Sequence, residues 1–125
     1  MCPDNDSKRY LLIMEYNLLT LPDEIEAAIN ENEAALFYFS APHCNVCKVL
    51  KPKLAEMLTE EYPRIQLFYV DIDKAPMISG QFRIFSIPTI MIFFEGKEYL
   101  RKSRNIGLAE LSRELEKPYN LMFED

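Results

Sequence analysis

The sequence predicts an α/β domain, a central mixed β-sheet with helices on both faces. Three observations carry that expectation. Apolar runs of strand length, Ala34 to Ser40, Ile65 to Ile72 and Thr89 to Phe94, alternate with segments of helical spacing. Glu95-Gly96, set between two β runs, reads as a tight hairpin turn, so at least one strand pair is antiparallel. At 125 residues, 49% apolar and 27% charged, the chain is large enough for one core without staples and has ordinary globular proportions.

Each element has a local reason. Residues 8–20 are rich in apolar side chains without a clean period, which favours a short helix and then a strand over 16–20. Leu21 to Ile29 reads as a helix with Pro22 and acids in its first turn. Ala34 to Ser40 is a buried strand. Cys44 to about Glu61 is a long helix, and Pro52 inside it removes one backbone bond and should kink it. Pro63 punctuates before the Ile65 to Ile72 strand, and Lys74 to Gln81 is a short helix. Thr89 to Phe94 and Lys97 to Lys102 form the hairpin. Leu108 to Glu116 is amphipathic, with Leu108, Leu111 and Leu115 on one face, and Pro118 should end it. The strands joined by helices are expected to be parallel.

No repeat, low-complexity tract or linker divides the chain. One domain over 1–125 is expected, with a core of about 16–117, an N-terminal extension over 1–15 and a tail over 118–125. A net charge of −6, spread along the chain, argues against nucleic acid or an anionic membrane as partner. No apolar stretch is long enough to span a bilayer. Residues 10–14 follow Lys8-Arg9 like the start of a signal peptide. However, the run breaks at Glu15, Asp4 and Asp6 precede it, and no small-residue cleavage site follows. The expected compartment is the cytoplasm.

Three cysteines do not make a secreted disulfide framework, and Cys2 reads as a stray exposed thiol. The other two stand in Cys44-Asn45-Val46-Cys47, between a strand and a helix. That is the layout of a dithiol redox site. Unpaired N–H groups of the first helical turn favour a thiolate at Cys44. Cys47 lies one turn further on the same side, within disulfide reach. Zinc needs four ligands, and only His43 and the remote Cys2 could join the pair, so no metal or other cofactor is expected.

These residues resemble the thioredoxin family, and thioredoxin more than glutaredoxin. The matches are Phe39-Ser40-Ala41-Pro42-His43-Cys44-Asn45-Val46-Cys47-Lys48, then Pro52 five residues on, then Ser86-Ile87-Pro88-Thr89 opening a strand, with Gly96 at the hairpin. The resemblance implies a thioredoxin fold and a thiol–disulfide oxidoreductase that reduces protein disulfides. Cys44 would be the nucleophile and Cys47 the resolving thiol. It implies a cis Ile87–Pro88 bond, with Ile87 and Pro88 contacting substrate and Pro88 discouraging metal capture. It also implies a monomer recycled by a reductase such as thioredoxin reductase.

Departures from the family pattern concern proton handling. His43 stands where the family has Trp, and Asn45-Val46 replaces Gly-Pro. His43 is either a polar rim residue or, when protonated, a support for the Cys44 thiolate. Tyr38 falls where the family buries an Asp that accepts the Cys47 proton, and a tyrosine stays neutral until about pH 10. Tyr38 is therefore expected to fill core and donate a hydrogen bond. Tyr69 falls at the lysine partner of that Asp, and Arg104 at a groove glycine, with Gly107 the nearest alternative. Unless Asp71, Asp73, Glu56 or water takes over, resolution by Cys47 should be the slow step near pH 7. Leu121, Met122 and Phe123 are expected to pack back on the domain. Two competing readings are a thioredoxin-fold binding or scaffold protein with weak turnover, and a glutathione-using enzyme. The second is disfavoured because no Gly-Gly occurs in the chain.

Overall fold

Six of the seven residues of strand β1 (Ala34–Ser40) are buried, because the strand has a neighbour on each edge and helices over each face. The computed structural model describes residues 17–123. Before β1 comes helix α1 (Pro22–Glu31). After it come α2 (Asn45–Glu61), β2 (Gln66–Asp71), α3 (Pro76–Gln81), β3 (Thr89–Phe94), β4 (Lys97–Ser103) and α4 (Leu108–Phe123). The sheet order is β2-β1-β3-β4. β1 pairs in parallel with β2, and antiparallel pairs join β1 to β3 and β3 to β4. The expected mixed sheet is present.

Side-chain alternation along β1 sorts the core into two layers. Leu36 and Tyr38, with Ile90 and Ile92 of β3, face α2 and α4 through Leu50, Leu54, Leu111 and Leu115. Ala35, Phe37 and Phe39, with Met91 and Phe93, face α1 and α3 through Ile25, Ala28 and Ile78. Phe37 stacks on Phe68 at 5.3 Å and meets the Phe93 ring edge-on at 5.7 Å, which ties three strands together.

Helix α1 starts where expected. Pro22 takes the first position, and a Glu24 carboxylate oxygen accepts the Thr20 and Leu21 backbone N–H groups at 2.9 Å. Those bonds hold its carboxyl below the usual range. Two expectations need correction. In place of a strand over 16–20, Leu18 makes one isolated parallel bridge to Tyr69. It is closed by Leu19 N–H to Tyr69 O and Tyr69 N–H to Asn17 O, both 2.8 Å. Leu21 and Pro22 then turn the chain into α1, which leaves no length for a ladder. The expected helix before it, and Cys2, lie outside the described residues.

The second correction is α4, which does not stop before Pro118 but continues to Phe123. A proline within a helix costs about 3 kcal/mol. Packing beyond it offsets this. The Tyr119 ring meets Tyr62 at 4.9 Å and Phe123 at 4.8 Å, and the Arg64 guanidinium lies 4.8 Å over the Phe123 ring. Arg64 N–H also donates to the Tyr119 hydroxyl at 3.1 Å. Met122 and Phe123 pack back on the core as expected, whereas Leu121 is exposed.

The two margins of the sheet differ. Asn17 to Leu19 covers the outer edge of β2 through Tyr69. Among the described residues β4 is the open margin, with Lys97, Glu98 and Arg101 exposed and Lys102 half-buried.

Candidate active site

Strand β1 delivers the chain to the site, and three residues, Ala41 to His43, turn it into α2. Cys44 N–H donates to Ala41 O at 3.0 Å, and Cys44 O accepts the Lys48 N–H at 3.2 Å, which starts the helix. Cys44 is its N-cap, and its Sγ accepts the Cys47 N–H at 3.1 Å. That contact directs a first-turn N–H at the sulfur, where it favours negative charge. The two cysteines form a disulfide with their Cα atoms 5.2 Å apart. Cys44 is half-buried, while Cys47 is 2% exposed and belongs to the core under α2.

Beneath Cys47 lies Tyr38, fully buried, whose hydroxyl donates to Cys47 O at 2.7 Å. Burial pushes its hydroxyl up to about 12, so it stays protonated across the neutral range. Tyr38 is in register with Tyr69 on β2, and the two rings meet edge-on at 6.2 Å. Above Tyr69 sits Lys51, its Nζ 4.5 Å from the ring centroid. Burial lowers the Lys51 ammonium, and the Asp71 carboxylate opposes that shift. A cavity of about 280 Å³ opens here, lined by Cys47, Lys48, Lys51, Tyr69 and Asp71 among others.

His43, Asn45 and Val46 flank the cysteines in the chain. His43 is largely exposed, with Nε2 3.7 Å from Asp73 Oδ2. Asn45 and Val46 are exposed on the first turn of α2. They line one wall of a groove of about 870 Å³ whose other wall is Arg104 to Leu108. The Ile87–Pro88 bond is cis. Ile87 and Cys44 border the same core layer, to which Cys47 belongs. Pro88 O accepts the Arg104 N–H at 2.8 Å, and the Thr89 hydroxyl bonds Ser86 O at 2.6 Å and Ser103 Oγ at 2.9 Å. The proline loop is thereby fastened to the end of β4. Arg104 itself has φ 65°, a left-handed conformation that favours glycine.

Lys51 was not among the residues expected from the sequence. The signal was present, since Lys51 follows Cys47 by four residues and so shares its helix face. Its meaning depended on Tyr69 lying beneath it, which only the β1–β2 register reveals. No helix among the described residues is long and apolar enough to cross a membrane.

A half-buried sulfur at a helix N-cap, bridged to a core sulfur one turn inside, is the arrangement of a thiol–disulfide oxidoreductase. The thioredoxin family model matches residues 18–117. Thioredoxin-like protein YdfQ of Bacillus subtilis is 31% identical over 97 residues, covering 78% of this chain and 86% of the relative. Thioredoxin of Chlamydia trachomatis is 40% identical over 75 residues, 60% of this chain and 70% of the relative. Mitochondrial thioredoxin 3 of Saccharomyces cerevisiae in its oxidised form superposes with a TM-score of 0.67 at 25% identity, over 83% of this chain and 92% of that one. The chain belongs to the thioredoxin family.

Proposed function

We propose that the protein reduces disulfides in other proteins, with Cys44 as the attacking thiolate and Cys47 as the resolving thiol. The observation that carries the assignment is the unequal setting of the two sulfurs. Cys44 is half-buried at the helix N-cap, and Cys47 is 2% exposed within the core. Cys44 attacks one sulfur of the substrate and forms a mixed disulfide. Cys47 then attacks Cys44, releases the reduced substrate and closes the internal disulfide.

Ile87 and Pro88 form the substrate-facing loop in this reading, with the Ile87 backbone offering a short strand pairing. Asn45 and Val46 shape the entry, His43 supports the Cys44 thiolate when protonated, and Tyr38 anchors the Cys47 turn. The protein acts as a single-domain monomer without cofactor, is recycled by a reductase such as thioredoxin reductase, and contributes to redox homeostasis in the cytoplasm.

Three measurements test the proposal. The reduced protein should catalyse insulin reduction by dithiothreitol, whereas a scaffold with weak turnover would leave the uncatalysed rate unchanged. Limiting iodoacetamide should label Cys44 first, and Cys47→Ser should trap mixed disulfides that Cys44→Ser does not. Labelling of Cys47 ahead of Cys44 would reverse the assignment.

A further inference from the structure

We propose that Lys51 is a positioning residue for the second half of the exchange, its ammonium stabilising Cys47 as a thiolate from within the cavity they share. The inference rests on the reading of Cys47 as the resolving thiol.

Lys51 lies one helical turn beyond Cys47, and its side chain folds inward over the Tyr69 ring at 4.5 Å instead of extending into water. There it lines the same cavity as Cys47. A half-buried charge is poorly screened, so its field at a neighbouring sulfur exceeds that of a surface lysine.

The other groups around Cys47 do not serve in its place. From β1, Tyr38 is protonated at neutral pH and its hydroxyl is engaged with Cys47 O. From β2 come Tyr69, which carries Lys51 on its ring, and Asp71, whose negative charge opposes a thiolate. β3, Thr89 to Phe94, contains no titratable side chain. From α2 itself come Lys48 and Lys51, and Lys48 is exposed. Of the two, Lys51 is the cation held inside.

Chemically, the Cys47 thiol releases its proton to solvent, and its Sγ attacks Cys44 Sγ in the mixed disulfide. The Cys44–Cys47 bond forms and the bond to the substrate sulfur breaks. The electron pair leaves on that sulfur, which takes up one proton. Substrate is reduced by two electrons and the dithiol is oxidised by two. Lys51 exchanges no proton in this sequence. It lowers the free energy of the anion on Cys47 before attack.

The test reads Cys47 directly, without turnover. In a Cys44→Ser background, the rate of Cys47 alkylation by iodoacetamide is followed against pH, with mass-spectrometric quantification of the Cys47 peptide. Lys51→Met, which keeps the apolar stem, should move the midpoint up by about one pH unit. Lys51→Arg should restore most of the shift, and Asp71→Asn should move the midpoint down. Superimposable profiles with and without the Lys51→Met substitution overturn the proposal. So do equal shifts for Lys51→Met and Lys51→Arg, which would indicate packing and not charge. Because alkylation needs no substrate disulfide, failure of the parent to reduce insulin would overturn the functional reading alone.

Discussion

Tyr38 is placed where an ionisable group could exchange a proton with Cys47, yet its burial withdraws it from that work. Its hydroxyl is held protonated to about pH 12, above the ordinary value of 10. A group whose folded-state value is raised contributes stability that is present below its unfolded value and lost as pH rises through the folded one. The window is therefore pH 10 to 12. At pH 7, Tyr38→Phe should cost about 1 kcal/mol through loss of the bond to Cys47 O. Toward pH 12 the parent should lose about 2 kcal/mol that the variant keeps, so their order of stability reverses. Urea unfolding of both proteins at pH 7 and at the alkaline end checks this, and a constant difference would exclude Tyr38 as the titrating group. At this scale the sequence exposed the cysteine pair, Pro88 and the loss of the buried acid at Tyr38. The pair follows from spacing and residue type, and the other two from the family resemblance. Lys51 did not stand out, because its significance lies in the layer beneath it.

Helices and strands were legible wherever local chemistry decides them. Strand β1 and strand β3 have the expected bounds, and the start of α2 at the cysteine pair was read to within one residue. The end of α4 was not, since the penalty at Pro118 is written locally while the compensating contacts come from Tyr62 and Arg64, more than fifty residues away. The isolated Leu18 bridge escaped for a similar reason: pairing with Tyr69 is a long-range fact. The turns suggest a further experiment. Glu95 has φ 51° ahead of Gly96 at φ 80°, a pair of left-handed residues such as Asn-Gly supplies in tight hairpins. Glu95→Asn should stabilise the protein by about 0.5 kcal/mol. Arg104→Gly, at φ 65°, should relieve about 1 kcal/mol of backbone strain, less the extra chain entropy glycine brings to the unfolded state. Thermal unfolding should show both midpoints rising, and a fall for Arg104→Gly would mean that the arginine side chain itself holds the groove wall.

At the scale of the molecule, charge is unevenly placed. The chain carries −6 in total, while Lys48, Lys51, Lys53 and Arg104 outnumber Asp71 and Glu110 in the clefts on either side of the cysteines. The total predicts that a dianionic small disulfide is repelled and reacts faster as salt is added. The local cations predict the reverse, because charges beyond a Debye length, about 10 Å at 0.1 M salt, are screened from the encounter. We expect the local set to win near the sulfurs. Stopped-flow rates should fall with ionic strength for a dianionic disulfide and rise for a dicationic one such as cystamine. Slopes of the opposite signs would show that the acidic body governs approach. The sequence supplied the total charge but not this partition, which arises only when α2 and the loop after β4 come together. The open margin at β4 carries a different consequence. A second chain seeking to prolong the sheet there would have to strip water from Lys97, Glu98 and Arg101, and would find Lys102 already held by Glu114 at 2.7 Å. The opposite margin is occupied by the chain's own Asn17 to Leu19. Fibre growth by strand addition is therefore discouraged at both ends, and a concentrated stock should age through oxidation at sulfur sooner than through amyloid.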